Sequence, residues 1–391
     1  MKATVQQPQL AHGLSIVSHA VSPRSTLPVL SNVLLATDDN RLRLSTTNLE
    51  LGITCWIDAK IEEEGSITVP ARTFTDLVSA LPSDLVNLSL NQRTQTLTVK
   101  SASSNTNIKG IDAQEFPPLP VPDLNGGIQI DIAELKELIQ QVVFAASVDE
   151  ARPVLMGVQL KVEGNHISMA AADGFRISER KAELSLESHP DHALSAIIPA
   201  RALAELARIT PQPSPVPAGS GVSSDADQCL TMLIPHGRGQ VIFHARDIEV
   251  VSQLIDGNYP DYRQVIPRSY KTRTVVSTSE FLKACKQAEI IARDSNNVAR
   301  LNILPGDETK PGVLEISAQS EETGFSEIRV DASIEGASLL IAFNVKFLRE
   351  VLEVIKSPTV ALETGMANSP GVIRPVGDDN FLHVIMPMHL G

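Results

Sequence analysis

The pattern of hydrophobic and polar positions contains one sequence motif that occurs three times along the chain. A strand-like run ending at Val69 passes into apolar positions at helical spacing, and the same order returns after Ile198 and, in a weaker form, after Ala342. Each copy has Pro or Asn near the start of the predicted helix, where Pro fits the first turn and Asn can cap it. Because the copies lie too far apart for solenoid units, the sequence predicts three copies of one whole domain.

Each predicted copy also contains a second helix and a set of short strands. The first helices are predicted over Gln9–Val21, Ala133–Phe144 and Ser279–Arg293, where apolar residues recur at helical spacing. Alternating segments such as Arg41–Thr46 and Ile167–Ala172 are typical of half-buried strands. With two helices and about eight strands per copy, the predicted fold class is α+β, with helices packed on antiparallel sheets.

Two segments of irregular composition interrupt this pattern. The proline-rich Pro117–Gly127 predicts an extended linker. Residues 211–226 are rich in Pro, Ser and Gly and predict an exposed, partly disordered insertion. The predicted domains are residues 1–124, 125–268 and 269–391.

Composition narrows the class of protein. The net charge of −13 argues against a protein that coats nucleic acid, unless its basic residues are gathered on one face. No apolar run suggests a signal peptide or a membrane span. Cys55, Cys229 and Cys285 lie far apart and form no metal-binding pair, which fits a reducing compartment. We therefore expect a cytoplasmic protein.

Motifs for catalysis are sparse. Asp173, Asp256 and Asp261 could form a metal-binding nuclease site, but two of them precede glycine and are more simply turn signals. The chain has no P-loop, nucleophile elbow, dinucleotide-binding fingerprint or paired-histidine zinc motif. The sequence therefore favours a binding protein over an enzyme, with no catalytic residues, metal or cofactor expected.

Four motifs carry a resemblance to one family. In order along the chain they are Arg24–Leu30, Ala172–Arg176, Asn258–Tyr262 and Val384–Leu390. Together they resemble the bacterial DNA polymerase III beta subunits, the sliding clamps. The resemblance implies a closed ring of two chains, joined head to tail, that encircles duplex DNA and slides on it without sequence preference. The expected partners are duplex DNA, a second copy of the chain, and the replicative polymerase and clamp-loader subunits, bound through short peptide motifs.

The resemblance also implies a DNA-facing surface and an interface between chains. The implied DNA-binding residues are Arg24, Arg72 and Arg201. The interface is expected at strand edges, because edge pairing between chains would cover otherwise exposed edges. Its implied residues are Thr106 and Ile108 in the first domain and Ile290 and Ile291 in the third.

Further basic residues of the predicted helices are candidates for loose, sequence-independent contacts with phosphates. The alternative is that each pairs with a neighbouring carboxylate, such as Glu205 or Glu350. These further residues are Lys136, Arg208, Lys283, Lys286, Arg293, Lys346, Arg349 and Lys356.

The resemblance further implies a groove between the second and third domains that binds a short, leucine- and phenylalanine-containing peptide. Apolar anchors and a few polar groups are the expected chemistry, and Met suits a surface with several ligands. The implied groove residues are Arg152, Leu155, Ala172, Gly174, Phe175, Arg176, Ile177, Pro260, Val265, Asn344, Phe347, Pro370, Val384, Ile385, Met386, Pro387, Met388 and Leu390.

The groove sequence departs from the family pattern at several positions. Phe175 replaces a common His, His389 replaces a common Arg, Val154 stands where an aromatic residue is frequent, and Gly391 extends the terminus. Plain core packing is the alternative role for the aliphatic members Leu155, Ile177 and Val265.

Two other functions stay open at this point. A three-domain scaffold could bind peptides without encircling DNA, and it would remain a monomer. A metal-dependent nuclease or phosphoesterase would instead show metal-dependent turnover.

Overall fold

The computed structural model describes residues 1–22, 27–120, 124–184, 193–210, 228–235, 237–307 and 310–389. The predicted insertion at 211–226 lies outside them, as does part of the predicted linker. The chain forms two compact units. The first is built from Met1–Ala133 and Glu205–Leu254, and the second from Glu134–Leu186, Asp191–Ala204 and Ile255–Gly391.

Two α-helices occur in each predicted copy, as the periodicity indicated. The first helix begins at Gln7, not Gln9, because Pro8 occupies its first turn, and it ends at Val17 in a short 3-10 turn. Asn344 caps the last helix through its side-chain oxygen, which accepts from the N–H of Lys346 at 3.0 Å. The helices are α1 (Gln7–Val17), α2 (Ala71–Ala80), α3 (Ile132–Val142), α4 (Ala200–Ile209), α5 (Thr278–Ala292) and α6 (Val345–Val354).

The strands follow the same threefold order. Those of the first copy are β1 (Lys2–Gln6), β2 (Asn32–Asp38), β3 (Arg41–Thr47), β4 (Leu51–Asp58), β5 (Lys60–Glu63), β6 (Ser66–Pro70), β7 (Leu85–Asn91), β8 (Thr96–Ser101) and β9 (Ser104–Lys109). Those of the second are β10 (Ile128–Asp131), β11 (Gly157–Glu163), β12 (His166–Ala172), β13 (Arg176–Glu183), β14 (Leu194–Pro199), β15 (Cys229–Leu233), β16 (Gln240–Ala245) and β17 (Ile248–Gln253). Those of the third are β18 (Thr272–Ser277), β19 (Val298–Leu304), β20 (Gly312–Ser320), β21 (Gly324–Gly336), β22 (Leu339–Asn344), β23 (Thr359–Thr364), β24 (Gly371–Pro375) and β25 (Phe381–Ile385).

The strands form antiparallel sheets, which confirms the predicted α+β class. In the first unit a five-stranded sheet has the order β5-β1-β7-β8-β9, and an eight-stranded sheet has the order β10-β15-β16-β17-β4-β3-β2-β6. In the second unit a twelve-stranded sheet has the order β14-β11-β12-β13-β25-β24-β23-β18-β21-β20-β19-β22.

Neighbouring copies are joined by one recurring strand pair. β4 of the first copy pairs with β17, the last strand of the second, with Ile53 opposite Val250. β13 of the second copy pairs with β25, the last strand of the third, with Ile177 opposite Val384. Because these pairs place strands of different copies in one sheet, the compact units cut across the predicted domains. The boundaries at 124 and 268 stay a prediction.

Aromatic residues fill the cores. Phe281 of α5, Phe343 of β22 and Phe381 of β25 are fully buried in one cluster, which also takes Leu348 of α6. The helices of the third copy thus pack their apolar faces on the sheet.

Among the described residues no helix is long and apolar enough to cross a membrane.

Candidate functional site

The residues predicted to line the peptide groove lie in the second unit, except that Leu390 falls outside the described residues. The pairing of β13 with β25 places Ile177 beside Val384 and Arg176 beside Ile385. Pro370 directly precedes β24, whose first residue pairs with Ile385. The structure therefore brings residues that are far apart in sequence to one end of these strands.

Backbone hydrogen bonds extend this arrangement beyond β25. The N–H of Met386 donates to the carbonyl of Phe175 at 2.9 Å. The N–H of Met388 donates to the carbonyl of Ala342 at 2.8 Å, close to the start of α6. The segment around Pro387 is therefore fixed against two parts of the predicted groove, where an unattached terminus would fray.

Three groove residues present apolar side chains at the surface. Phe175 is 61% exposed, Val265 is 42% exposed and Met386 is 37% exposed. Exposed apolar side chains of this kind can anchor a partner. Other predicted groove residues are buried and can only shape the surface from below; they are Ala172, Arg176, Ile177, Val384 and Ile385.

The turn before β11 approaches the β12–β13 connection closely. A Cβ atom at Gly174 would lie 3.0 Å from Nη1 of Arg152, and Gly174 has a φ of +95°. The positive φ favours glycine, because residues with a Cβ atom rarely adopt it. Nε of Arg152 also lies 3.0 Å from Oδ2 of Asp149. Leu155 is half-buried, and its carbonyl accepts from the N–H of Ser147 at 2.9 Å.

A buried tyrosine anchors the loop that carries Pro260 and Val265. The Tyr262 hydroxyl donates to Oε1 of Glu179 at 2.8 Å, and both side chains are buried. Burial is the main cause that raises the pKa of Tyr262, with the Glu179 carboxylate as the next. The neutral phenol therefore serves as a hydrogen-bond donor that holds this loop.

Arg176 is the centre of a buried polar network beneath the predicted groove. Its Nε donates to Oδ2 of Asp173 at 3.0 Å, and its Nη2 donates to the carbonyl of Phe144 at 2.6 Å. Its Nη1 donates to Oε2 of Glu350. Its guanidinium also lies 4.2 Å from the ring centroid of Phe347 and 5.4 Å from that of Phe144. The charge is thus paired, hydrogen-bonded and stacked, which offsets the cost of burying it.

His383 lies next to this network. Its ring is fully buried and stacks on Phe144 with 5.4 Å between centroids. Nδ1 lies 2.6 Å from Oγ of Ser178, whereas Nε2 is buried without a hydrogen-bond partner among the described residues. Burial lowers the pKa of His383 well below its usual value, and Arg176 lowers it further. The imidazole is therefore neutral in the folded chain.

Sequence reasoning missed the residues that hold Arg176. Phe144 and Glu350 come from other parts of the chain, and no local motif marks them as its partners. Asp173 was considered as a metal ligand, but its carboxylate accepts from the N–H groups of Phe175 and Arg176 as well as from the Arg176 side chain. Within the described residues, no group of three or more His, Cys, Asp or Glu could hold a metal ion. The geometry thus gives the proposed nuclease site no support.

The predicted DNA-binding residues are only partly described. Arg24 falls outside the described residues. Arg72, on α2, has a side chain that is 95% exposed and lies 3.9 Å from Asp76. Arg201 is exposed near the start of α4. Both described side chains are therefore open to solvent and can reach a ligand.

The remaining helix cations fall into two groups. Nε of Arg349 lies 2.7 Å from Glu289, and Nζ of Lys286 lies 3.0 Å from Glu353. The alternative of ion pairing therefore holds for these residues. Glu205, expected to pair with a helix cation, lies instead 3.0 Å from Nδ1 of His19. Exposed predicted helix cations without an ion pair in the described part of the chain are Arg201, Arg208, Lys283 and Arg293.

The predicted interface residues are placed differently in the two domains. Thr106 and Ile108 lie on β9, which ends the five-stranded sheet, so this side is a strand edge. Ile290 and Ile291 lie on α5, inside the helix predicted over Ser279–Arg293, so they are not part of a strand edge, and their place in the interface stays a prediction. Ile290 is 62% exposed, whereas Ile291 packs partly on the core. The exposed strand in this region is β21, where Phe325 is 62% exposed.

Comparison with known proteins supports one family throughout the chain. The models of the N-terminal, central and C-terminal domains of the DNA polymerase III beta subunit match residues 1–120, 129–261 and 263–389. The beta sliding clamp of Synechococcus elongatus is 34% identical, with 100% of both chains covered. The beta sliding clamp of Bacillus subtilis is 32% identical, with 99% of both covered.

Solved structures show the same similarity. The Bacillus subtilis DNA polymerase sliding clamp aligns over 100% of both chains with a TM-score of 0.89 and 32% identity. The Pseudomonas aeruginosa sliding clamp bound to griselimycin aligns over 100% of both chains with a TM-score of 0.88 and 28% identity. From these matches and the threefold repeat of its fold, the chain belongs to the DNA polymerase III beta subunit family, the beta sliding clamps.

Proposed function

We propose that this protein is a DNA sliding clamp that acts as a homodimeric ring. It encircles duplex DNA, slides without sequence preference, and tethers a replicative polymerase and clamp-loader subunits through the groove described above. It thereby raises the processivity of the polymerase in the cytoplasm and catalyses no reaction itself. Membership of the sliding-clamp family supports this proposal, and the chain's own strand edges provide the observation that carries it.

The main structural support for this proposal is the strand pair that recurs between neighbouring copies. β4 pairs with the last strand of the following copy, and β13 does the same. The counterpart in the third copy is the first part of β21, which pairs with β20 on one side, whereas only Ala332–Gly336 pairs with β18. The last strand of the first copy, β9, pairs only with β8 in the described chain. The β9 edge of one chain therefore matches the β21 edge of another.

The internal repeat also gives the register of this proposed pair. Ser104 begins β9 directly after its hairpin, as Ile248 begins β17, so Thr106 corresponds to Val250. Val330 lies opposite Leu314 as Ile57 lies opposite Leu42, and all four side chains are buried, so Ser326, four residues before Val330, corresponds to Ile53. Because Val250 lies opposite Ile53, Thr106 of one chain is expected opposite Ser326 of its partner.

A head-to-tail contact of this kind uses two different surfaces of each chain. Such heterologous contacts form a ring when the rotation closes and an open filament when it does not. Family membership supports closure with two chains. The pairing would cover both strand edges and the exposed Phe325, which removes an aggregation hazard.

The basic helix residues supply the chemistry for loose DNA contact. Arg72, Arg201, Arg208 and Lys283 are exposed in a chain whose net charge is −13. Attraction between such cations and phosphates is independent of sequence, and this allows sliding. Repulsion by the acidic remainder of the surface weakens close binding elsewhere.

Topological retention on DNA tests the proposal. Labelled protein is loaded onto nicked circular DNA by a clamp loader with ATP, the complex is isolated, and the DNA is then linearised. We expect stable retention on the circle and rapid loss after linearisation, because a ring slides off free ends. A monomeric scaffold would not be retained on either DNA, and a protein that binds duplex tightly would remain on both.

A further inference from the structure

A cavity of about 550 Å³ lies in the first unit and shares no lining residue with the groove or the strand edges discussed above. Its floor is the outer face of β17, β4, β3 and β2, and its roof is the strap formed by residues 113–120. The volume falls in the range typical of sites for small molecules.

The strap is fixed at two points, so the cavity is preformed. Phe116 is buried with Val29 and Leu30. Leu119 packs on the floor so closely that a Cβ atom at Gly52 would lie 2.7 Å from its Cδ2. Two prolines between these anchors stiffen the roof. A rigid roof lowers the ordering cost of binding.

Two rows of side chains form the floor. One row runs from Glu249 through Thr54 to Ser45, and the next pairs Trp56 with Arg43. Oγ of Ser45 lies 3.0 Å from Oγ1 of Thr54. The indole N–H of Trp56 donates to Oδ2 of Asp38 at 2.7 Å, so that carboxylate already has a partner.

Several polar groups around the floor lack hydrogen-bond partners within the described part of the chain. Glu249 is only 6% exposed, and His244 is its ion-pair neighbour there. Nδ1 of His244 lies 3.7 Å from Oε2 of Glu249, too far for a hydrogen bond, and is itself buried without a partner. Nε of Arg43 is also buried without a partner. Buried polar atoms that lack a hydrogen bond are costly, and a ligand can satisfy them.

The positions of these groups define the ligand. β3 and β17 are separated by one strand, which puts their axes about 9–10 Å apart. Glu249 requires a cation or hydrogen-bond donor, and Arg43 requires an acceptor. Trp56, Leu119 and the prolines offer apolar contact for a side chain. We propose that this cavity binds a small zwitterion, an apolar α-amino acid or dipeptide, with its ammonium at Glu249 and its carboxylate at Arg43.

The protein carries its own reporter for this site. Trp56 is the single tryptophan of the chain, and it lines the cavity. Excitation selective for tryptophan therefore follows the cavity alone in the intact protein. The probes are leucine and leucylleucine, each compared with its C-terminal amide, which lacks the carboxylate, and its N-acetyl form, which lacks the ammonium.

The proposal predicts a saturable change in Trp56 fluorescence with at least one zwitterion, and a Kd at least about tenfold higher for the matched amide and acetyl probes. Glu249→Gln should weaken the zwitterion by a similar factor while leaving the acetyl probe unchanged. Arg43→Gln should also weaken binding of the zwitterion, but it should leave the affinity for the amide probe unchanged. Glu163→Gln, an exposed carboxylate on β11, is the control and should bind as the parent does.

A steric variant guards against misfolding of the charge variants. Ala36→Leu extends a side chain from the floor into the cavity, and it should abolish binding with both charged groups intact. Thermal melting of each variant confirms that it is folded. A fluorescence change that does not saturate with any probe overturns the proposal, as does equal affinity for the zwitterion and for both singly charged forms.

Discussion

The guanidinium of Arg176 lies 4.2 Å from the ring centroid of Phe347, and its Nε donates to Oδ2 of Asp173. This relationship joins the start of β13 to α6 beneath the predicted groove. The stacked and paired cation thus supports an exposed apolar surface from inside the fold. It also makes the groove sensitive to substitutions that never touch a ligand.

Arg176→Met should reduce both stability and peptide binding. The substitution keeps much of the side-chain volume but removes the buried cation that pairs with Asp173 and Glu350, and it leaves Glu350 only its other cationic neighbours, Lys346 and Arg349. Removing one partner of a buried pair costs about 3–5 kcal/mol of unfolding free energy. Urea unfolding measures this loss. Arg152→Met, which changes an exposed cation among the predicted groove residues, is the control for stability and should change the free energy of unfolding little. Equal losses of unfolding free energy in the two variants would contradict the buried network.

His383 should make stability fall in mild acid. Its pKa in the folded chain is well below the usual 6.5, because burial and Arg176 disfavour the charged ring. Below about pH 6.5 the unfolded chain therefore binds a proton that the folded chain does not. The free energy of unfolding should fall by up to about 1.4 kcal/mol per pH unit for this group, and recover above neutrality.

Urea unfolding between neutral pH and mild acid measures this dependence. His383→Gln removes the titrating group, so this variant should show a shallower dependence even if its stability is lower at every pH. His166→Gln, at an exposed position on β12, should keep the parent slope. An unchanged slope in the His383 variant would show that other groups cause the acid sensitivity.

Met386→Ala should weaken binding of a fluorescent peptide that carries the leucine-x-leucine-phenylalanine sequence. Met386 is 37% exposed beside Phe175, and truncating an apolar anchor typically raises Kd about tenfold or more. Met366→Ala is a matched control, because Met366 is 53% exposed and outside the predicted groove. Fluorescence anisotropy gives both affinities. Similar losses in the two variants would move the peptide site elsewhere.

Neutralising Arg24, Arg72 and Arg201 together to Gln should shorten retention on circular DNA and flatten its salt dependence. Each lost phosphate contact lowers the slope of log affinity against log salt by about 0.9. The control replaces Lys60, Lys100 and Lys181, three exposed strand residues, with the same net change in charge. If both triple variants lose retention equally, net charge and not these positions governs DNA contact.

Much of the fold was predictable because its signals are local. The repeated motif around Pro70, Pro199 and Asn344 marks the second helix of each copy, and α2, α4 and α6 begin directly after these residues. Repetition of the motif also predicted the threefold order of elements. Periodicity and helix-start residues depend only on neighbours in sequence, so they can be recognised without knowledge of tertiary contacts.

The missing parts depend on contacts between distant segments. Nothing near Arg176 indicates that Phe144 and Glu350 enclose it. Ile290 and Ile291 lie in the helix predicted over Ser279–Arg293, and nothing near them in sequence indicates that the first part of β21 leaves a strand edge free. The linker prediction around Pro117 did not anticipate a strap that covers the sheet, since its packing depends on Gly52.

A disulfide test at Thr106 and Ser326 addresses ring closure most directly. Cysteines are introduced at both positions of one chain, oxidised under mild conditions, and the products are separated on a non-reducing denaturing gel. We expect a single covalent dimer of twice 42.1 kDa, because two chains close head to tail with these residues opposite each other. The pair Ser104→Cys with Ser326→Cys, which is out of register, should cross-link far less. A ladder of higher species would indicate an open filament, and uncross-linked monomer would contradict the ring.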